Sequence, residues 1–90
     1  MAYQVSLVKD AKRHITEFEQ SGNQQLMRKL FALLDELEVN PYIGTGKPER
    51  LKGSRSGLWS RRINREHRLV YYVEEAAAAV TVVSARGHYE

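Results

Sequence analysis

Ninety residues, 42% of them hydrophobic and with a formal net charge of +3, are enough for one domain, residues 1–90, around one core and leave nothing for a second. The absence of cysteine excludes a disulfide framework, a thiolate zinc site and a cysteine nucleophile. No charged leader with a long apolar run opens the chain and no window reaches the length of a membrane span, so a soluble cytoplasmic protein with an anionic partner is expected.

Tyr3, Val5 and Leu7 alternate with Gln4 and Ser6, which predicts a short strand with one buried face. Asp10 is placed to cap a first helix bearing Ala11, Ile15 and Phe18, and Ser21-Gly22-Asn23 stops it. Asn23 caps a second helix in which Leu26, Leu30, Leu33, Leu34 and Leu37 form a continuous stripe, read as core in preference to a coiled-coil seam because it spans barely two heptads. Asn40-Pro41 ends that helix. The Gly44–Lys47 run resembles part of a phosphate loop, but Pro41 and Pro48 stand where such a loop needs glycine and a hydroxyl residue. Short strands are expected over Glu49–Lys52, Leu58–Ile63 and from beyond the Asn64-Arg65-Glu66 turn to Val73. Residues 74–79 have helical propensity, yet the β-branched run that follows favours a hairpin into a last strand ending near Tyr89. The resulting β-α-α-β-β-β-β order is an α+β domain with both helices on one face of a mostly antiparallel sheet and the other face open to ligand.

Between Lys47 and Val73 stand eight basic and two acidic residues, a local charge of +6. Cations alternating with Trp59, Tyr71 and Tyr72 form the footprint of a surface that holds a polyanion, nucleic acid first among them. Strict alternation on the last strand puts Val80, Val82, Ser84, Arg86 and His88 on one side, so that Arg68 and His88 meet at one sheet edge. RNA can be cut without a metal by a base on the ribose 2′-hydroxyl, a cation on the phosphorane and an acid on the leaving oxygen. Glu49, Arg68 and His88 can fill these roles. Lys47, Arg50, Lys52, Arg62 and Arg86 would hold phosphates, and Tyr89 or Trp59 would stack on a base. His14 reads as a solvated helix residue and Trp59 equally well as core. His67 and His88 lack metal-ligand spacing, so no metal or other cofactor is expected. From spacing alone, RNA binding is favoured over RNA cleavage.

The run Lys47-Pro48-Glu49-Arg50-Leu51-Lys52, then Ser56–Ile63, then Glu66–Tyr71, with His88-Tyr89 at the end, resembles the YoeB/Txe toxins of the RelE superfamily over essentially the whole chain. The resemblance implies a RelE-like fold and a type II toxin, an mRNA interferase that engages the bacterial ribosome in its 30S decoding region. It cleaves mRNA without metal to a 2′,3′-cyclic phosphate. It also implies catalytic roles for Glu49, Arg68, His88 and Tyr89, a YefM-like acidic antitoxin that folds over the basic face, and homodimers. Arg50, where the family often has proline, and Glu90, beyond the usual final tyrosine, depart from the pattern. The rival readings are a ParE-like topoisomerase inhibitor and a plain RNA- or ribosome-binding module.

Overall fold

The computed structural model describes residues 2–87. Strand β1 (Gln4–Leu7) leads into helices α1 (Lys9–Ser21) and α2 (Gln24–Val39), followed by β2 (Glu49–Arg50), β3 (Trp59–Arg62), β4 (Arg68–Glu74) and β5 (Ala79–Ser84). The two helices pack against a mixed, mostly antiparallel sheet ordered β1-β5-β4-β3-β2, the α+β arrangement expected from the sequence. β1 runs parallel to β5, and the other pairings are antiparallel.

In β1, Val5 and Leu7 are half-buried while Gln4 and Ser6 are exposed, as period 2 requires. α1 begins two residues earlier than expected: Val8 is its N-cap without a side-chain bond. Asp10 therefore lies inside the first turn, where a carboxylate still suits the positive helix end. Gly22 closes α1 at φ +76°, donating its N–H to the Glu19 carbonyl, a left-handed conformation that favours glycine. Asn23 caps α2 by accepting from the Leu26 N–H at 3.1 Å. Leu26, Leu30, Leu33 and Leu37 are buried against Ala11, Ile15 and Phe18 of α1 and Leu69, Tyr71, Val80 and Val82 of the sheet. The leucine stripe is thus core, each buried leucine worth about 1.5–3 kcal/mol relative to exposure.

The helical propensity of residues 75–77 is spent on one 3₁₀ turn, after which Ala78 at φ +49° reverses the chain into the β4–β5 hairpin. β5 ends at Ser84, short of the predicted end near Tyr89, and its ladder is interrupted one residue before that end. Tyr71 pairs with Val82, but Val70 pairs with Ser84, so Val83 is a bulge. A bulge shifts side-chain parity. Val80 and Val82 face the helices, and so does Ala85, whereas Ser84 lies across from Val70 on the outer face. The expected shared side of Val80, Val82 and Ser84 is corrected accordingly: Ser84 lies on the opposite face, while the Arg86 side chain reaches α1.

Arg61 is the largest fully buried side chain. It belongs to the core-facing parity of β3, opposite Leu69, and its Nε donates to the Tyr71 hydroxyl at 3.2 Å. Nη1 donates to Glu36 Oε1 at 2.8 Å and the Thr45 carbonyl at 3.3 Å, and Nη2 to the Asn40 and Ile43 carbonyls at 2.8 and 2.9 Å. All five guanidinium donors are used. The Thr45 hydroxyl, then its amide, then the Arg61 charge hold the Glu36 carboxyl below its ordinary pKa, against the opposing effect of burial. This wiring fixes the 40–46 loop. Gly46 continues it by accepting the Arg62 N–H at 2.7 Å, and a Cβ there would stand 2.8 Å from the Arg62 carbonyl.

Candidate functional site

The fixed loop delivers the chain into β2, whose register sets the site. Glu49 pairs with Ser60, Ser60 with Val70, and Val70 with Ser84, giving one row across four strands on the face away from the helices. One step along, Arg62 is opposite Arg68. Arg68 Nη1 reaches Glu49 Oε1 at 3.3 Å, the two side chains being 21% and 59% exposed. Arg62, Asn64, Arg65 and Arg68 border a cleft of about 280 Å³. The structure therefore brings together Glu49, Arg62 and Arg68, a carboxylate and two guanidiniums on one face.

The outer face is less open than expected. Ser60, Val70 and Ser84 in the central row are buried, and the Ser60 hydroxyl has no hydrogen-bond partner among the described residues. The approach to Glu49 and Arg68 is consequently from the β2 side and the β3–β4 turn.

Other candidates are placed differently. Lys47, exposed at φ +51°, immediately precedes β2. Lys52 is exposed before the 3₁₀ turn over Gly53–Arg55. Arg50 is exposed but pairs with Trp59, so it faces away from Glu49 despite adjoining it in sequence. Trp59 packs against the core and meets the Tyr42 ring edge-on at 5.2 Å; it shares the side of Tyr71, away from the Glu49–Arg68 row. Arg86 turns back to α1, where it forms an ion pair with Glu17. His88 and Tyr89 lie outside the described residues. Arg61, counted by sequence into the basic run, is withdrawn into the core.

Two histidines acquire roles that sequence reasoning missed. His14, expected to be solvated, is buried on α1 and accepts the Ala85 N–H on Nδ1 at 3.2 Å. Burial, then the charges of Arg86 and Arg13, lower its pKa below 6.5 against the weaker pull of Glu17 and Asp10. Its place between Ala11 and Ile15 in the apolar stripe was the available signal. His67 accepts the Gly87 N–H on Nδ1 at 2.8 Å while its ring meets Phe18 at 4.9 Å. Sequence offers no sign of that contact.

Far from this row, Glu75 accepts the hydroxyls of Tyr3, at 2.6 Å, and Tyr42. These bonds hold the Glu75 carboxyl below its ordinary pKa and push Tyr42 up to about 12. No three His, Asp or Glu side chains among the described residues converge on a point that could hold a metal, and no helix among them is long and apolar enough to cross a membrane.

Residues 8–89 match a family described as the YoeB-like toxin of bacterial type II toxin–antitoxin systems. Toxin YoeB of Synechocystis sp. is 42% identical over 71 residues, 79% of this chain and 80% of that protein. The fold superposes on the Staphylococcus aureus YoeB dimer with a TM-score of 0.84 at 33% identity, covering 99% of this chain and 100% of the other. On the toxin in the S. aureus YoeB–YefM complex the TM-score is 0.82 at 34% identity, again over 99% and 100%.

Proposed function

Given that the chain belongs to the YoeB-like toxins of bacterial type II toxin–antitoxin systems, we propose that it is a ribosome-dependent mRNA endoribonuclease that halts translation. The observation that carries this reading is the Glu49–Arg68 pair, held at 3.3 Å on one face beside Arg62. A base and a phosphate-binding cation side by side are what in-line attack by a ribose 2′-oxygen needs.

In the free protein the Arg68 guanidinium occupies the Glu49 carboxylate. An entering mRNA phosphate competes for the guanidinium, which binds phosphate through a planar fork. Glu49 is thereby released to take the 2′-hydroxyl proton. The 2′-oxygen then bonds to phosphorus, Arg68 and Arg62 neutralise the charge on the non-bridging oxygens, and the bond to the 5′-oxygen breaks. The products are a 2′,3′-cyclic phosphate and a 5′-hydroxyl, the latter protonated by His88, with Tyr89 packing on a base. Lys47 and Lys52 flank β2 on the path of the RNA backbone, and Arg50 contributes to the same field from the opposite side of the strand. The mRNA is presented in the 30S decoding region of a cytoplasmic ribosome.

The partner that silences the site is an acidic antitoxin segment of the YefM kind, because a chain with +6 between Lys47 and Val73, reduced only by the burial of Arg61, attracts one. A homodimer is the second assembly, by analogy with the S. aureus relative described as a dimer.

The test is cleavage of a defined mRNA on programmed ribosomes, with and without EDTA, by wild type and Glu49→Gln. EDTA-resistant cuts in the decoding site that fall by about 10²–10⁴-fold in the mutant, the usual contribution of a general base, are the expected result. Tight ribosome binding by a wild type that makes no cuts would replace this reading with a binding module.

A further inference from the structure

β5 stops pairing at Ser84, yet residues 85–87 are not left to the ladder. The Ala85 N–H goes to His14 Nδ1 of α1, and the Arg86 side chain pairs with Glu17 on the same helix. Gly87, at φ +69°, is gripped on both sides: its N–H donates to His67 Nδ1 at 2.8 Å and its carbonyl accepts the Arg68 N–H at 3.1 Å. Side chains and one main-chain bond from Arg68 take over from the regular ladder.

His67 is itself held firmly. Its backbone N–H donates to Asn64 Oδ1 at 2.8 Å, its carbonyl accepts the Ile63 N–H at 2.9 Å, and its ring lies against Phe18. With the backbone tied down and the ring against Phe18, the Nδ1 lone pair is aimed at the Gly87 amide, and accepting there requires the tautomer with its proton on Nε2. The residue after His67 in sequence is Arg68, which touches Glu49 through its guanidinium and Gly87 through its amide. One dipeptide, His67-Arg68, thus sets the carboxylate–guanidinium pair and the departure point of the C-terminal segment in a single frame.

We infer that His67 is a positioning residue of the nuclease site, with His14 as a second support: their Nδ1 atoms anchor the Gly87 and Ala85 amides and so fix the origin of the chain that carries His88. The inference rests on the reading of Glu49, Arg68 and His88 as the cleavage centre. His67 touches no reacting atom. It acts through Gly87, the covalent neighbour of His88, and through the register of Arg68 against Gly87. The requirement is for an acceptor at the place of Nδ1. A neutral side chain of similar bulk that lacks one leaves the Gly87 amide without its partner and Gly87 held through its carbonyl alone, and a displacement of about 1 Å at a general acid costs up to about 10²-fold in rate.

Asparagine places its Oδ1 where the imidazole has Nδ1, whereas glutamine reaches one methylene further, to where the ring has Nε2. That pair supplies the test. Hydrogen exchange of the Gly87 and Ala85 amides, and single-turnover cleavage of ribosome-bound mRNA with the ribosome Kd measured alongside, are compared in full-length wild type, His67→Leu, His67→Asn and His67→Gln. The inference expects Gly87 protection to fall about tenfold in His67→Leu, the factor for one lost hydrogen bond, with cleavage down about 10–100-fold at unchanged ribosome Kd. His67→Asn recovers both and His67→Gln neither. Equal cleavage by the Asn and Gln variants overturns it, and these two decide the matter if the leucine variant does not fold. A wild type that binds ribosomes without cutting would remove the nuclease reading and the catalytic role of the anchor with it. Gly87 protection lost only in the leucine and glutamine variants would then show the anchor standing alone.

Discussion

Replacing Arg61 by methionine separates two meanings of a cation in the basic run. The guanidinium has no exposure and makes five hydrogen bonds, to Glu36, Tyr71 and three carbonyls of the 40–46 loop. Methionine fills much of the volume and supplies none of them. Tyr71 keeps its donation to the Pro41 carbonyl at 2.6 Å, and Glu36, 33% exposed, is partly rehydrated, so the cost lies near the lower end of the range for breaking a buried pair, about 3 kcal/mol. Against a total of about 5–13 kcal/mol for a domain of this length, that is a large share. It corresponds to a Tm drop of about 12–24 °C and a urea midpoint lowered by about 1–3 M. Urea unfolding followed by Trp59 fluorescence reads it directly. Arg62→Met, an exposed neighbour, is the control: stability within about 0.5 kcal/mol of wild type but weaker, less salt-dependent RNA binding. A loss under about 1 kcal/mol for Arg61→Met, or an effect confined to RNA affinity, would refute the structural role.

Gly44→Ala puts a Cβ 2.4 Å from Glu36 Oε1 at φ +133°, whereas Gly22→Ala meets nothing within 4 Å at φ +76°. Thermal unfolding is expected to show a loss of about 1–2 kcal/mol for Gly22→Ala, from backbone strain alone, and a clearly larger one for Gly44→Ala. His14 has a folded-state pKa below 6.5, so the unfolded chain binds its proton first. Stability is full above pH 6.5 and falls as the pH drops toward the folded-state value. His14→Asn, which keeps an acceptor near the Ala85 amide, should flatten that part of a urea-midpoint profile, and an unchanged profile would count against it. Tyr42 ionises at about 12 because its hydroxyl donates to Glu75, and stability linked to it is present below pH 10 and lost toward 12. In Glu75→Ala an ultraviolet tyrosinate titration should show two tyrosines, Tyr3 and Tyr42, returning toward 10.

Much of the fold was written in periodicities. The leucine stripe of α2, the alternation of β1 and the Asn23 cap needed no tertiary information, because each is a local preference that the core reinforces. The places that escaped depend on partners distant in sequence. Asp10 was a good cap in isolation, but the β1–α1 connection puts the cap at Val8. The bulge at Val83 moves Ser84 to the outer face and Ala85 to the core, and no residue near Val83 announces it. Arg61 was legible in part. It shares parity with Trp59 and Ile63, both apolar, yet charge counting assigned it to the surface with its neighbours. For the site, Glu49 and Arg68 were joined by the chemistry that RNA cleavage needs and then by a resemblance to toxin sequences. The register that puts them on one face comes from β2 pairing with β3, which a two-residue strand cannot advertise.

The parallel seam between β1 and β5 has a kinetic meaning. Each of its residue pairs, from Gln4 with Ala79 to Leu7 with Val82, joins positions 75 apart in the chain, while the β3–β4 and β4–β5 hairpins close over short turns. Hairpins of that kind form within about 1–10 μs; a seam between distant strands waits for a long loop to close, an entropic cost that grows with the logarithm of the loop length. β1 is therefore the last strand to join. Truncations in it, such as Val5→Ala, should speed unfolding and leave the folding rate almost untouched, so the seam acts as the latch that sets how long a folded molecule lasts between openings.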